Sequence, residues 1–134
     1  MAKVIKEVHI EANPDTVWKV VGNIGAVAAW SPMLSTATVH DNMRICTLGE
    51  NSPAPGSTLK EEILARHEER RRYDYTVSEA PFPIESHHAS FQVEPDGTGS
   101  KVVWTTDVTP DELASTWEPI FEQQLQALKQ YVEN

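Results

Sequence analysis

Apolar residues change their period along the chain, and each change marks an element. Lys3 to Ile10 carries Val4, Ile5, Val8 and Ile10 and predicts a strand. Asn13-Pro14-Asp15 then reads as a helix start: a side-chain cap, a proline at the first helical position and an acid favourable to the dipole. That helix carries Val17, Trp18, Val20 and Val21 and stops near Gly22-Asn23. A second short helix is expected over Gly25 to Trp30, ended by Ser31-Pro32 because the residue before proline avoids helical geometry.

Alternation takes over afterwards. Strands are predicted over Ser35 to His40 and Arg44 to Leu48, joined by a tight turn at Asp41-Asn42. Gly49 to Gly56 holds Pro53 and Pro55 and reads as a loop. Thr58 to His67 and Arg70 to Ser78 form a hairpin turning at Glu68-Glu69. After the connector Ala80-Pro81-Phe82-Pro83, Glu85 to Glu94 and Lys101 to Thr109 form another, turning within Pro95 to Gly99. Pro110 opens a long final helix with Leu113, Trp117, Ile120, Phe121, Leu125, Leu128 and Val132 on one stripe. The order is strand, two short helices, six strands, one long helix. A curved antiparallel seven-stranded sheet gripping that helix, an α+β architecture, is the economical way to bury both apolar faces. The curvature predicts a gap between sheet and helix where a small ligand sits.

Faces follow from the strand period of two. Leu59, Glu61, Ile63 and Ala65 share one side, with Lys60, Glu62 and Arg66 on the other; the leucine and isoleucine predict that Glu61 faces inward. Tyr73, Tyr75 and Val77 share a face, as do His87, Ala89, Phe91 and Val93, and Val102, Trp104, Thr106 and Val108. Arg44 joins Cys46 and Leu48. The expected interior thus holds Arg44, Glu61, Tyr73, Tyr75, His87, Phe91 and Trp104 against Trp117 and Phe121 of the helix, with Trp30 and Pro32 at the mouth. A one-residue slip would invert any of these strands.

Length and composition narrow the function classes. The 134 residues suit a single domain, 1–134. Twenty acidic against eleven basic residues give a net charge of −9, which disfavours nucleic acid and anionic membranes as partners. The final helix adds Glu112, Glu118, Glu122 and Glu133 to an acidic outer side. One cysteine, Cys46, excludes an intramolecular disulfide and any thiolate zinc cluster, and the histidines show no ligand spacing, so no metal is expected. With no phosphate cradle or dinucleotide fingerprint, no nucleotide cofactor is expected either. The N-terminus MAKVIKEVHI has no signal-peptide core and no stretch is long enough for stable membrane insertion, so the cytoplasm is the default location.

Several local patterns, in order, carry a resemblance. They are Asn13 to Trp18 after the first strand, Trp30-Ser31-Pro32, Met43 to Cys46, Gly56 through Tyr75 with Glu61 six residues before His67, Ala80 to Pro83, and Val103-Trp104. Together they resemble the START-like helix-grip (SRPBCC) superfamily, and within it the polyketide cyclase/dehydrase group, over nearly the whole chain. The departures are His67, where relatives more often have aspartate, and the short turn at Asp41-Asn42, where many have a longer glycine-rich hairpin. The superfamily includes enzymes, lipid carriers, hormone receptors and co-chaperones, so the fold alone does not deliver a function. In the lachrymatory-factor-synthase-like subset, an arginine and a glutamate at matching positions carry the reaction; the resemblance implies that role for Arg44 and Glu61.

Read from their chemistry alone, these two residues allow three roles. They can form a structural ion pair, held by two hydrogen bonds and needed because a lone buried charge is costly. The arginine can anchor a ligand oxygen. Or the pair can be catalytic, with Arg44 stabilising an oxyanion or enolate and Glu61 moving a proton, helped if burial raises its pKa. Tyr73 and Tyr75 read either as ligand hydrogen-bonders or as core aromatics, and His87 as an acid or base near neutral pH or a core residue. Cys46 reads as a small buried hydrophobe.

Three functions compete: a cofactor-independent cyclase, dehydratase or isomerase acting on a small hydrophobic molecule; a non-catalytic carrier or sensor of such a molecule; and a protein-interaction module. Ligand identity, catalysis and oligomeric state stay open at this level.

Overall fold

The computed structural model describes residues Met1–Asn134. Its elements run β1 (Ala2–Ile10), α1 (Pro14–Val21), a 3-10 turn (Ile24–Ala29), β2 (Leu34–His40), β3 (Met43–Leu48), β4 (Thr58–His67), β5 (Arg72–Glu79), β6 (Ser86–Asp96), β7 (Gly99–Thr109) and α2 (Glu112–Glu133). The seven strands form one antiparallel sheet in the order β1-β7-β6-β5-β4-β3-β2. Element order and fold class match the sequence reading. The β6–β7 turn is shorter than the sequence suggests, and the β4–β5 turn is longer. Pro95 and Asp96 stay in β6, and Gly97 takes the left-handed conformation (φ 61°) that the turn requires. Between β4 and β5 the chain makes a 3-10 turn at Glu68–Arg70 before Arg71 reverses it, so β5 starts at Arg72 rather than Arg70.

Helix α1 begins as the sequence dictates: the Asn13 side chain accepts a hydrogen bond from the Thr16 amide at 2.9 Å, and Pro14 is the first helical residue. It ends at Gly22, where a Cβ would stand 2.7 Å from the Trp18 indole. Only glycine lets that ring fold over the helix end. Helix α2 packs along β1 and β7 and buries Trp117, Phe121, Leu125 and Leu128. Pro119 sits on its exposed side, so the missing N–H faces away from the core. An aromatic row connects sheet to helix: Phe91 stacks on Trp104 at 4.6 Å between centroids, and Trp104 on Phe121 at 4.0 Å. The far end of α2 is tied down by Lys129, whose ammonium donates to the His9 carbonyl at 2.7 Å and to Glu133 at 2.8 Å.

Two irregularities bend the sheet between β4 and β5. The register shifts between Lys60 and Glu61, and again between Ile63 and Ala65, where Leu64 is the extra residue. Such bulges bend and twist the strand that carries them. The second one corrects the expected face of β4. Beyond Leu64, Ala65 turns outward opposite Asp74, and Arg66 turns inward opposite Tyr73. Its guanidinium lies 5.0 Å from the Trp18 ring and donates to the Gly22 carbonyl at 2.5 Å, capping α1, with Glu68 as its ion-pair partner.

Arg66 therefore supports the fold more than a solvent-facing arginine does. Arg66→Ala is expected to cost about 1–2 kcal/mol, from the lost ring contact and charged hydrogen bond. Lys60→Ala on the same strand is expected to stay within about 0.5 kcal/mol. Urea unfolding of the two variants beside the parent chain measures both.

Candidate functional site

The hollow between sheet and α2 is a cavity of about 120 Å³ with 21 lining residues, of which 15 are hydrophobic, so its occupant is mostly apolar. Its size is on the scale of cavities that hold one six-membered ring, about 150 Å³. β3 to β7 form one wall, α2 the opposite one, and the 3-10 turn with its following loop the floor. Pro53, Phe82 and Ile84, from the two proline-containing connectors, line it near its rim.

Arg44 and Glu61 stand directly opposite each other in the β3–β4 ladder, both on the inner face. Cross-strand partners on one face have Cβ atoms roughly 5 Å apart, so the register itself makes the pair. Arg44 Nε donates to Glu61 Oε1 at 2.7 Å, and both side chains are buried, at 3% and 9% exposure. The bond is single rather than the two-pronged clasp expected from the residue types. Arg44 Nη1 donates elsewhere, to the Ile24 carbonyl and to the Tyr73 hydroxyl, both at 3.3 Å. Glu61 Oε2 and Arg44 Nη2 are left without protein hydrogen bonds. The guanidinium also lies 5.4 Å from the Tyr75 ring and 5.6 Å from that of Tyr73, within cation–π range. Cys46 Sγ is 3.9 Å from Glu61 Oε1; burial, reinforced by that carboxylate, pushes the thiol up to about 12, so it is no nucleophile.

The remaining polar wall residues are hydrogen-bond donors. Trp104 Nε1 donates to the Tyr75 hydroxyl at 3.0 Å, which leaves the phenolic proton for another acceptor. Burial, with Glu61 next in weight, holds the Tyr75 phenol well above its usual range, so it stays protonated. His87 Nδ1 accepts the Val77 amide proton at 3.1 Å, which leaves Nε2–H as a donor. Burial, followed by the charge of His88, pushes the His87 imidazole down to about 4. His87 is thus a neutral donor at neutral pH, and the acid–base role considered from sequence does not fit it. Its neighbour His88 faces out and pairs with Asp74 at 2.8 Å.

Nine of the sequence-chosen residues line the cavity: Arg44, Glu61, Trp30, Tyr75, His87, Phe91, Trp104, Trp117 and Phe121. Pro32 and Tyr73 do not. The Met33 amide bonds back to Ser31 Oγ at 3.4 Å, a tight turn after which Met33, not Pro32, lines the hollow. Tyr73 is 1% exposed, tilted against Trp18 at 6.4 Å and stacked on Phe91 at 5.6 Å, so α1 seals its end of the sheet. Of the lining residues that sequence reasoning did not choose, the buried polar one on α2 is Gln124. Its signal was a polar residue three positions after Phe121 and four before Leu128, on the apolar stripe itself.

His87 gives the fold a pH dependence. The ring is neutral when folded and ordinary when unfolded, so below pH 6.5 the unfolded chain binds the extra proton. Its contribution is whole above pH 6.5 and is lost as pH falls toward about 4, by about 3 kcal/mol at most. His87→Gln is expected to lose about 2–3 kcal/mol less than the parent between pH 7 and pH 4.5, measured by urea unfolding at both values.

Comparison with known proteins bears on the whole chain. The family model described as polyketide cyclase/dehydrase and lipid transport matches residues 1–133. Protein XoxI from Bacillus cereus is 24% identical, with 98% of this chain and 96% of that one aligned at a TM-score of 0.89. A Thermobifida fusca protein solved by NMR is 29% identical over 98% and 93% of the two chains, at a TM-score of 0.79. The major latex-like protein 151 of Panax ginseng is 19% identical over 99% and 98%, also at 0.79. No curated protein matches the sequence significantly. No helix is long and apolar enough to cross a membrane. With its model matched from the first strand to the last helix and the same sheet-around-helix arrangement in its structural neighbours, the chain belongs to the polyketide cyclase/dehydrase and lipid transport family of the SRPBCC superfamily, and its fold is the helix grip.

Proposed function

We propose that the protein binds a small hydrophobic, carbonyl-bearing molecule in the cavity and acts on it by cofactor-free proton transfer. The reaction class is isomerisation, dehydration or cyclisation. One observation carries this reading: Glu61 is pinned through Oε1 by Arg44 while Oε2 has no protein partner, at the wall of an apolar hollow. A carboxylate oxygen held in that way is a positioned base. It takes a proton from the carbon beside the ligand carbonyl. The C–H electron pair moves into the enolate, whose oxygen gains charge. Arg44 Nη2 and the Tyr75 hydroxyl are donors available to stabilise that oxygen. Where a C=C is conjugated to the enolate, the Glu61 acid then returns its proton to the far carbon of that dienolate, completing isomerisation; where the β-carbon bears a hydroxyl, the enolate expels it and the Glu61 proton makes it water, completing dehydration. The enolate carbon can instead attack a second carbonyl, closing a ring, with the Glu61 proton passing to the new alkoxide.

The carrier reading has support too, in the predominance of hydrophobic lining residues, which suffices for binding without chemistry. Exchange of the α-hydrogens of cyclohexanone in D2O separates the two readings without knowledge of the natural ligand. The parent protein is expected to accelerate exchange over buffer. Glu61→Gln is expected to lose about 10²–10⁴-fold of that acceleration, with affinity for the ketone within about threefold. Binding of the ketone by the parent with no acceleration assigns the protein to the carriers.

The ion pair has a stability signature of its own. Arg44→Ala leaves Glu61 buried without its countercharge and is expected to cost about 3–5 kcal/mol. The double variant Arg44→Met, Glu61→Leu removes both charges and is expected to be as stable as the parent or up to about 4 kcal/mol more so, yet to give no exchange. Thermal or urea unfolding of both variants, beside the exchange assay, distinguishes a pair retained for chemistry from one that holds the fold together.

A further inference from the structure

The cavity has a second polar place that the ion pair does not explain. Trp30 lines the hollow and is 6% exposed, yet its indole N–H is buried with no hydrogen-bond partner. A buried orphan donor has lost its water without a replacement, so native folds leave few of them. The only other such atom is Thr106 Oγ1, whose residue is not part of the lining. The next residue in the chain, Ser31, links Trp30 to helix α2. Ser31 Oγ accepts the Met33 amide proton at 3.4 Å, and its own hydroxyl donates to Gln124 Oε1 at 2.5 Å. That bond consumes the amide's acceptor. Gln124 Nε2 has no protein acceptor, and Gln124 also lines the cavity. Ser31 therefore joins two lining residues that each carry an unpartnered neutral donor, the indole N–H and the carboxamide NH2.

We infer that Trp30 and Gln124 form a neutral, donor-only subsite that reads an uncharged acceptor oxygen of the ligand, a ketone, aldehyde or ester carbonyl. Ser31 is its positioning residue, because it fixes which end of the Gln124 amide is free. This rests on the ligand-binding reading above and adds to it a specificity determinant apart from Arg44 and Glu61. A hydrocarbon of the same shape leaves both donors unpaired and binds more weakly; a carboxylate gains no countercharge there and prefers Arg44.

The test uses two probes of one shape, cyclohexanone and methylenecyclohexane, titrated into 15N-labelled protein. Expected is a preference of about five- to tenfold for the ketone, the scale of one or two neutral hydrogen bonds. The Trp30 indole and Gln124 carboxamide signals are expected to move downfield with the ketone alone. Gln124→Leu and Trp30→Phe are each expected to bring the two affinities within about twofold while keeping hydrocarbon binding. Equal affinity of the parent for both probes overturns the subsite and leaves the cavity reading standing. So does a ketone preference that survives both substitutions, since it then belongs to Arg44 or Tyr75. Failure of the parent to bind either probe overturns the cavity reading and the subsite with it.

Discussion

A seven-stranded sheet has more apolar inner face than one helix can cover, and most of this molecule follows from that mismatch. Helix α2 lies along β1 and β7, and its aromatic residues reach the middle of the sheet through the Phe121–Trp104–Phe91 stack. Helix α1 closes the end near Tyr73 with Trp18. The inner face of β3 to β5 remains only partly covered, and the hollow lies there. Bulges at the β4–β5 pairing bend the sheet around the helix.

A charged pair inside such a hollow is costly unless each charge has partners, and the surroundings supply them unequally. Arg44 is held by a carboxylate, a backbone carbonyl, a phenol and two ring faces. Glu61 has its protein hydrogen bonds on one oxygen only. The arginine is over-determined and the carboxylate half-satisfied, which is the asymmetry a positioned base requires. Elsewhere on the cavity wall, Tyr75, His87, Trp30 and Gln124 each carry an N–H or O–H that no protein group accepts, so the wall suits a guest with oxygens to offer.

How far this was legible depended on whether one period persisted. Strands β3, β6 and β7 keep strict alternation, and Arg44, His87, Phe91 and Trp104 face inward as the pattern says. Strand β4 keeps it only to Ile63; the extra residue Leu64 sends Ala65 out and Arg66 in. No local feature at Leu64 announces a bulge, because the register is set by pairing with β5. Tyr73 was correctly placed on the inner face but cannot be told from Tyr75 by alternation; what separates them is Trp18, 55 residues away from Tyr73 along the chain and 6.4 Å away in space. Gln124 was readable as a polar break in an apolar stripe, though its meaning required Ser31.

The amino-acid sequence by itself determined the elements, their order and the sheet-around-helix class, because helix caps, prolines and hydrophobic periods act over a few residues. It also determined that an arginine and a glutamate would share the interior, since two alternating strands carry them on their apolar faces. Only tertiary structure decided that they stand directly opposite each other, that their clasp is single, and that Ser31 binds Gln124 of the far helix. Those facts depend on strand register and on how α2 lies across the sheet, both set by contacts between segments tens of residues apart, which no local pattern encodes.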